Sequence, residues 1–99
     1  MLFRSEVSAR RYAYRVAGTD DAVIRVRQDD IVRVTFTAED IPHSFTIDEY
    51  RINKRAEPGR AVVFEFRADK NGTFVFYCSL TNDERCRRET RGRLVVTPR

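Results

Sequence analysis

Gly72-Thr73-Phe74-Val75-Phe76-Tyr77-Cys78-Ser79 is the stretch on which the reading of this chain turns. Phe74, Phe76 and Cys78 recur at every second position, the period of a β-strand with one face buried. Cys78 therefore shares the inward face of the two phenylalanines. Asp40-Ile41-Pro42-His43-Ser44-Phe45-Thr46-Ile47 has the same character, with His43 in phase with Phe45 and Ile47. Cys78 ends one apolar strand, and His43 begins another just after Pro42. Two side chains able to bind a soft metal are thus expected at inward positions near one end of a sandwich.

The alternation extends outward from these two stretches. Tyr12, Tyr14 and Val16 repeat it, as do Ile24 and Val26, then Val32, Val34 and Phe36, then Val62, Phe64 and Phe66. Leu94, Val95 and Val96 close the chain. Turn residues separate these runs at Gly18-Thr19-Asp20-Asp21, Gln28-Asp29-Asp30, Glu57-Pro58-Gly59 and Lys70-Asn71-Gly72. Period-two patterning with β-branched and aromatic enrichment predicts an all-β sandwich or barrel. The best helix candidate, Thr81 to Thr90, is polar and short.

Ninety-nine residues make one domain, expected to run 1–99. The charged share of 34% is balanced by 41% hydrophobic residues, so a folded globule is expected rather than a disordered chain. Apolar runs are only a few residues long, too short to span a membrane. Met1-Leu2-Phe3-Arg4 is followed by polar and basic residues rather than an apolar leader. The net charge is +4, carried by 17 Arg against two Lys, Lys54 and Lys70. Guanidinium groups favour carboxylate and phosphate partners, although a general preference for Arg explains the same count. Two cysteines permit one disulfide, one metal pair or two free thiols.

At these residues the sequence resembles the cupredoxins, and most of all the copper domains of cytochrome oxidase subunit II and nitrous oxide reductase. The resemblance runs from about Asp30 to Val96. It rests on the two stretches above together with Pro58-Gly59, Val62-Val63-Phe64-Glu65-Phe66, Ala68-Asp69-Lys70-Asn71-Gly72 and Gly92-Arg93-Leu94-Val95-Val96. It implies a cupredoxin-like Greek-key β-sandwich of about seven to eight strands, an exported or periplasmic location, copper as cofactor and electron transfer as the usual task. It also implies that His43 and Cys78 are copper ligands.

The rest of the family's ligand set is missing. In the two-copper centre it reads Cys-x-x-x-Cys-x-x-x-His-x-x-Met. Counted from Cys78, the second Cys falls on Asn82, the His on Cys86 and the Met on Glu89. Counted back from Gly92, the His falls on Arg87 and the Met on Thr90. His43 is the only histidine and Met1 the only methionine. Neither a binuclear centre nor a blue-copper site of two His and one Cys can be built within one chain.

What remains is His43, Cys78, Cys86 and Glu89, a soft donor set suited to one Cu(I), or to Zn(II) if Glu89 closes a tetrahedron. The competing reading is a metal-free structural or interaction domain whose Cys78 and Cys86 form a disulfide. Arg85, Arg87, Arg88 and Arg91 surround this segment. They form either a docking patch for an acidic redox or copper-transfer protein or simply a solvated turn. A nucleic-acid-binding barrel is disfavoured because the aromatics fall on the inward phase with Val and Ile. No enzyme is expected, since His43 alone would have to serve any nucleophile as base.

Overall fold

The computed structural model describes residues 2–99. Nine strands form two sheets: β1 (Leu2–Arg10), β2 (Ala13–Val16), β3 (Val23–Arg27), β4 (Ile31–Ala38), β5 (His43–Ile47), β6 (Ile52–Ala56), β7 (Ala61–Arg67), β8 (Gly72–Tyr77) and β9 (Arg91–Thr97). A 3-10 turn covers Asp48–Tyr50, and one short helix, α1, covers Glu84–Glu89. The four-stranded sheet has the order β2-β1-β4-β7, and the five-stranded sheet the order β3-β9-β8-β5-β6. β1 runs parallel to β4 and β3 parallel to β9, while the other neighbours are antiparallel. This is the expected cupredoxin-like β-sandwich.

The alternation read from the sequence is the alternation observed. On β4, Val32, Val34, Phe36 and Ala38 are fully buried, with Arg33, Thr35 and Thr37 on the other face. The four turn clusters fall between strands, and Gly59 takes the positive φ of 79° that its turn requires. Phe36, Phe45 and Phe76 fill the centre of the core. The Phe45 and Phe76 rings stack with centroids 4.6 Å apart, and Tyr14 meets Phe76 edge-on at 4.8 Å.

Two strands go beyond the sequence expectation. β1 buries only Ser5, Val7 and Ala9 on its inner face, so its apolar signal is weak. β6 is an edge strand that buries only Ile52 and Ala56, with Asn53-Lys54-Arg55 exposed between them. β5 departs in the other direction, being buried at all five positions. Its outward Ser44 and Thr46 are covered by a hydroxyl network: Ser44 Oγ lies 3.0 Å from Ser79 Oγ, and Thr46 Oγ1 donates to Asn53 at 3.1 Å.

The Phe76 ring and the Ala22 carbonyl leave room only for glycine at position 92. Gly92 pairs with Phe76, and a Cβ built there would sit 2.3 Å from the Phe76 ring tip and 2.7 Å from the Ala22 carbonyl oxygen. A buried ring and a backbone oxygen cannot both yield cheaply. Gly92→Ala is expected to cost about 1–3 kcal/mol through overpacking, read as a lower urea midpoint with an unchanged slope.

Candidate metal centre

Neighbouring strands bring the two principal side chains together. His43 opens β5 and Cys78 directly follows β8, and the two strands adjoin at Thr46 and Tyr77. The chain then loops out and returns through α1, which carries Cys86. Asp83 caps this helix, its Oδ1 accepting the Cys86 N–H at 3.1 Å. Thr90 ends it: the Thr90 N–H donates to the Cys86 carbonyl at 3.1 Å, and the Cys78 N–H donates to the Thr90 carbonyl at 3.2 Å. Cys86 is the one buried residue of α1.

His43, Cys78 and Cys86 converge, with donor atoms all within 4.8 Å of one another and no solvent exposure. The Cys78 and Cys86 sulfurs are joined as a disulfide with the Cα atoms 5.7 Å apart. His43 Nδ1 lies 3.0 Å from Cys86 Sγ. Thr90, also fully buried, directs its hydroxyl toward the same sulfur at 3.7 Å.

Asp40 orients the imidazole. Its Oδ1 lies 3.3 Å from His43 Nε2 and accepts the Ile41 N–H at 2.8 Å, while Oδ2 accepts the Arg11 N–H at 2.9 Å. Partial burial opposes ionisation of this carboxyl, but the bonds from Arg11, Ile41 and His43 outweigh it and hold its pKa below the usual value. An ionised carboxylate can only accept, so Nε2 carries the imidazole proton. That leaves the Nδ1 lone pair facing the sulfurs, the tautomer a metal ligand needs.

The walls of the site come from the other sheet. Tyr14 on β2 donates its hydroxyl to the Ser44 carbonyl, and burial drives its phenol pKa far up. Tyr12, in the turn before β2, lies beneath the Arg85 guanidinium at 4.4 Å from the ring centroid, which ties α1 to the β1–β2 hairpin.

Glu89 is not brought to this group. Its carboxylate takes the Arg85 Nε–H at 2.9 Å on the solvent side of α1, and Arg85 lowers its pKa. Thr90, four residues after Cys86, takes the inward place instead. Two of the four candidate docking arginines are likewise engaged, Arg85 with Glu89 and Arg88 with Glu84 at 3.6 Å. Arg91 lies over the Tyr77 ring at 5.7 Å, and with Arg87 it borders a shallow depression that also holds Asp48 and Tyr77. The sequence reading assigned no role to Asp40. Its signal was a carboxylate three residues before the sole histidine. Thr90 was reached only as the place where the family's Met falls.

A family model for the cytochrome c oxidase subunit II periplasmic domain matches residues 1–86. Cytochrome c oxidase subunit 2 of Cereibacter sphaeroides is 36% identical over 61 residues, which is 62% of this chain and 20% of that protein, so the chain spans about a fifth of that relative. The periplasmic domain of subunit II of cytochrome oxidase (CoxB) from Bradyrhizobium japonicum superposes with a TM-score of 0.79 at 19% identity, covering 97% of this chain and 84% of that one. A subunit II periplasmic domain solved as a mixed-disulfide intermediate with a thioredoxin-like protein gives the same score and identity, over 97% and 82%. Auracyanin A, a blue copper protein from Chloroflexus aurantiacus, gives 0.74 at 14% identity over 98% and 100%. By the match over residues 1–86, the chain belongs to the cytochrome c oxidase subunit II periplasmic-domain family, whose members are exported, cupredoxin-fold electron-transfer domains rather than enzymes.

Proposed function

We propose that this chain, acting as one domain, is a periplasmic copper-handling protein that takes up one Cu(I) per chain when its two cysteines are reduced. The observation that carries this reading is the convergence of one imidazole and two sulfurs, fully buried and within 4.8 Å of one another. The residues do not fit either standard centre of the family, because each needs a second imidazole and the chain has one histidine. They do fit a single soft ion: His43 Nδ1, Cys78 Sγ and Cys86 Sγ make a three-donor set that favours Cu(I). Bound there, copper would supply a one-electron couple held well toward its reduced form, which suits holding and delivery better than rapid cycling.

The protein's own groups set the conditions. Asp40 fixes the ring so that Nδ1 presents its lone pair. The core rings and Tyr14 keep water out. Both sulfurs become donors only after the disulfide gains two electrons and two protons. A dithiol protein is the natural source: one of its thiolates attacks a sulfur of the pair, the other then resolves the mixed disulfide, and the dithiol ends oxidised. The solved mixed disulfide between a thioredoxin-like protein and a related domain supports a partner of this class.

Titration of the reduced protein with Cu(I) under anaerobic conditions, against a chromophoric chelator, tests the reading. One copper per chain is expected, with affinity sharply lower in Cys78→Ser and Cys86→Ser and lower in His43→Ala, because each substitution removes a direct donor. Parent-like binding by Cys78→Ser and His43→Ala, or no copper retained by the parent, overturns it.

The disulfide itself favours a second reading, a metal-free domain stapled by Cys78–Cys86. A link closing so short a loop contributes about 2–3 kcal/mol. Air-exposed protein is expected to be two hydrogens lighter by mass than the reduced chain, with its urea midpoint raised accordingly. If that stabilisation appears and reduced protein takes no copper, the staple is the whole role of the pair.

A further inference from the structure

The outer face of the five-stranded sheet has a charge distribution that the metal centre does not use. Its outward positions on β3, β8 and β9 carry Arg25, Arg27, Arg91 and Arg93 and no carboxylate. Arg25 is paired with Asp21 at 2.9 Å, whereas Arg27, Arg91 and Arg93 make no ion pair among the described residues. This contrasts with α1, where Arg85 and Arg88 are neutralised by glutamates one turn away.

The middle of the same face sets one arginine among apolar neighbours. Arg93 stands opposite Val75 on one side and Val23 on the other, and Arg91 stands opposite Tyr77. Asp21, Ala22, Val23, Val75 and Gly92 line an open depression of about 350 Å³ together with Arg91 and Arg93, and the Asp21 carboxylate there is already held by Arg25. Val75 is 42% exposed, one of the few large apolar side chains left in solvent. The face also adjoins the metal centre, since Tyr77 precedes Cys78 and Arg91 follows Thr90.

We propose that this face docks an acidic protein that lays one apolar side chain against Val75 beside Arg93 and sets carboxylates against Arg27, Arg91 and Arg93. Arginine set among exposed apolar side chains is a common composition at the core of protein interfaces. Guanidinium forks match carboxylates two bonds at a time. A bilayer is the poorer fit, because membrane-binding faces project a band of large apolar groups, whereas Val75 here stands singly among arginines. A nucleic acid lacks a stacking platform here: Tyr77 is covered by Arg91 and its hydroxyl is bound to Asp48 at 2.8 Å. The proposal holds whatever the metal state of the site.

The test uses the oxidised, copper-free chain labelled with ¹⁵N, so that it does not depend on the copper reading. Three probes are titrated: a short peptide with a leucine flanked by glutamates, the same peptide with lysines replacing the glutamates, and anionic phosphatidylglycerol vesicles. Saturable amide shifts at Ala22, Val75 and Arg93 with the acidic peptide alone are expected, weakening as salt is added. Arg27→Glu combined with Arg93→Glu should weaken binding at least about ten-fold, and Val75→Asp should abolish it, both with native-like spectra. Silence toward the acidic peptide, shifts confined to another surface, or vesicle binding that the double variant removes overturns the proposal.

Discussion

The stacked pair Phe45 and Phe76 is the contact on which the rest of the site depends. The rings lie 4.6 Å apart on adjacent antiparallel strands. His43 stands two residues before Phe45 and Cys78 two residues after Phe76. Antiparallel strands carry those two offsets to the same end of the sheet, and the period of two carries both side chains to the same face. Burial of the rings thus fixes the phase, and the phase delivers imidazole and sulfur together. A slip of one residue in either strand would turn a ring outward and lose large apolar burial with it. Gly92 protects the arrangement from the other side, because the Phe76 ring occupies the space a side chain there would need.

This explains which parts of the site were legible in the sequence. Strand phase is a local property, so the inward placement of His43 and Cys78 could be read from their neighbours alone. Cys86 lies on a short polar helix with no phase to read, and its spacing from Cys78 fitted a disulfide, a metal pair or free thiols equally. Only the loop closure made by Asp83 and Thr90 brings it inward. Glu89 was drawn into the ligand set by counting along a family motif. In the fold, an ion pair one helical turn long holds it in solvent, and Thr90 lies inward instead. The strands show the same rule. β1 and β6 have weak inner faces of small or few residues, so tertiary pairing rather than pattern defines them.

Charge was legible in amount but not in placement. Seventeen arginines announce a basic protein, and their density around Cys86 drew the sequence reading to α1. Helical geometry puts Arg85 and Arg88 four residues from a glutamate, where pairing is nearly automatic. Among the outward strand arginines Arg25 has such a neighbour in Asp21, whereas Arg27, Arg91 and Arg93 form no ion pair among the described residues. Arg27 and Arg93 therefore keep their hydrogen-bonding capacity and Arg91 spends only its Nε–H, on the Arg88 carbonyl, while the more conspicuous helical cluster spends much of its own internally. An exposed ion pair contributes little stability, and its larger effect here is to decide which cations remain available to a partner.

The two sulfurs cannot bond to each other and still donate fully to a metal, so thiol oxidation and metal binding are alternatives at one place. Whether the dithiol form is ready for a metal depends on what keeps Cys86 near Cys78 once the bond between them opens. The disulfide is one of several ties. The Asp83 cap, the paired Cys78–Thr90 and Thr90–Cys86 backbone bonds and the Arg85–Tyr12 stack are ties that do not run through it. A cap and a stacked cation each contribute on the order of 1 kcal/mol, and the hydrogen bonds a similar amount apiece. Together they match or exceed the about 2–3 kcal/mol that a short disulfide loop supplies. Opening the bond is therefore expected to loosen α1 without releasing it. A loop held only by its disulfide would lose its shape on reduction, whereas this one has further ties that do not involve the sulfurs.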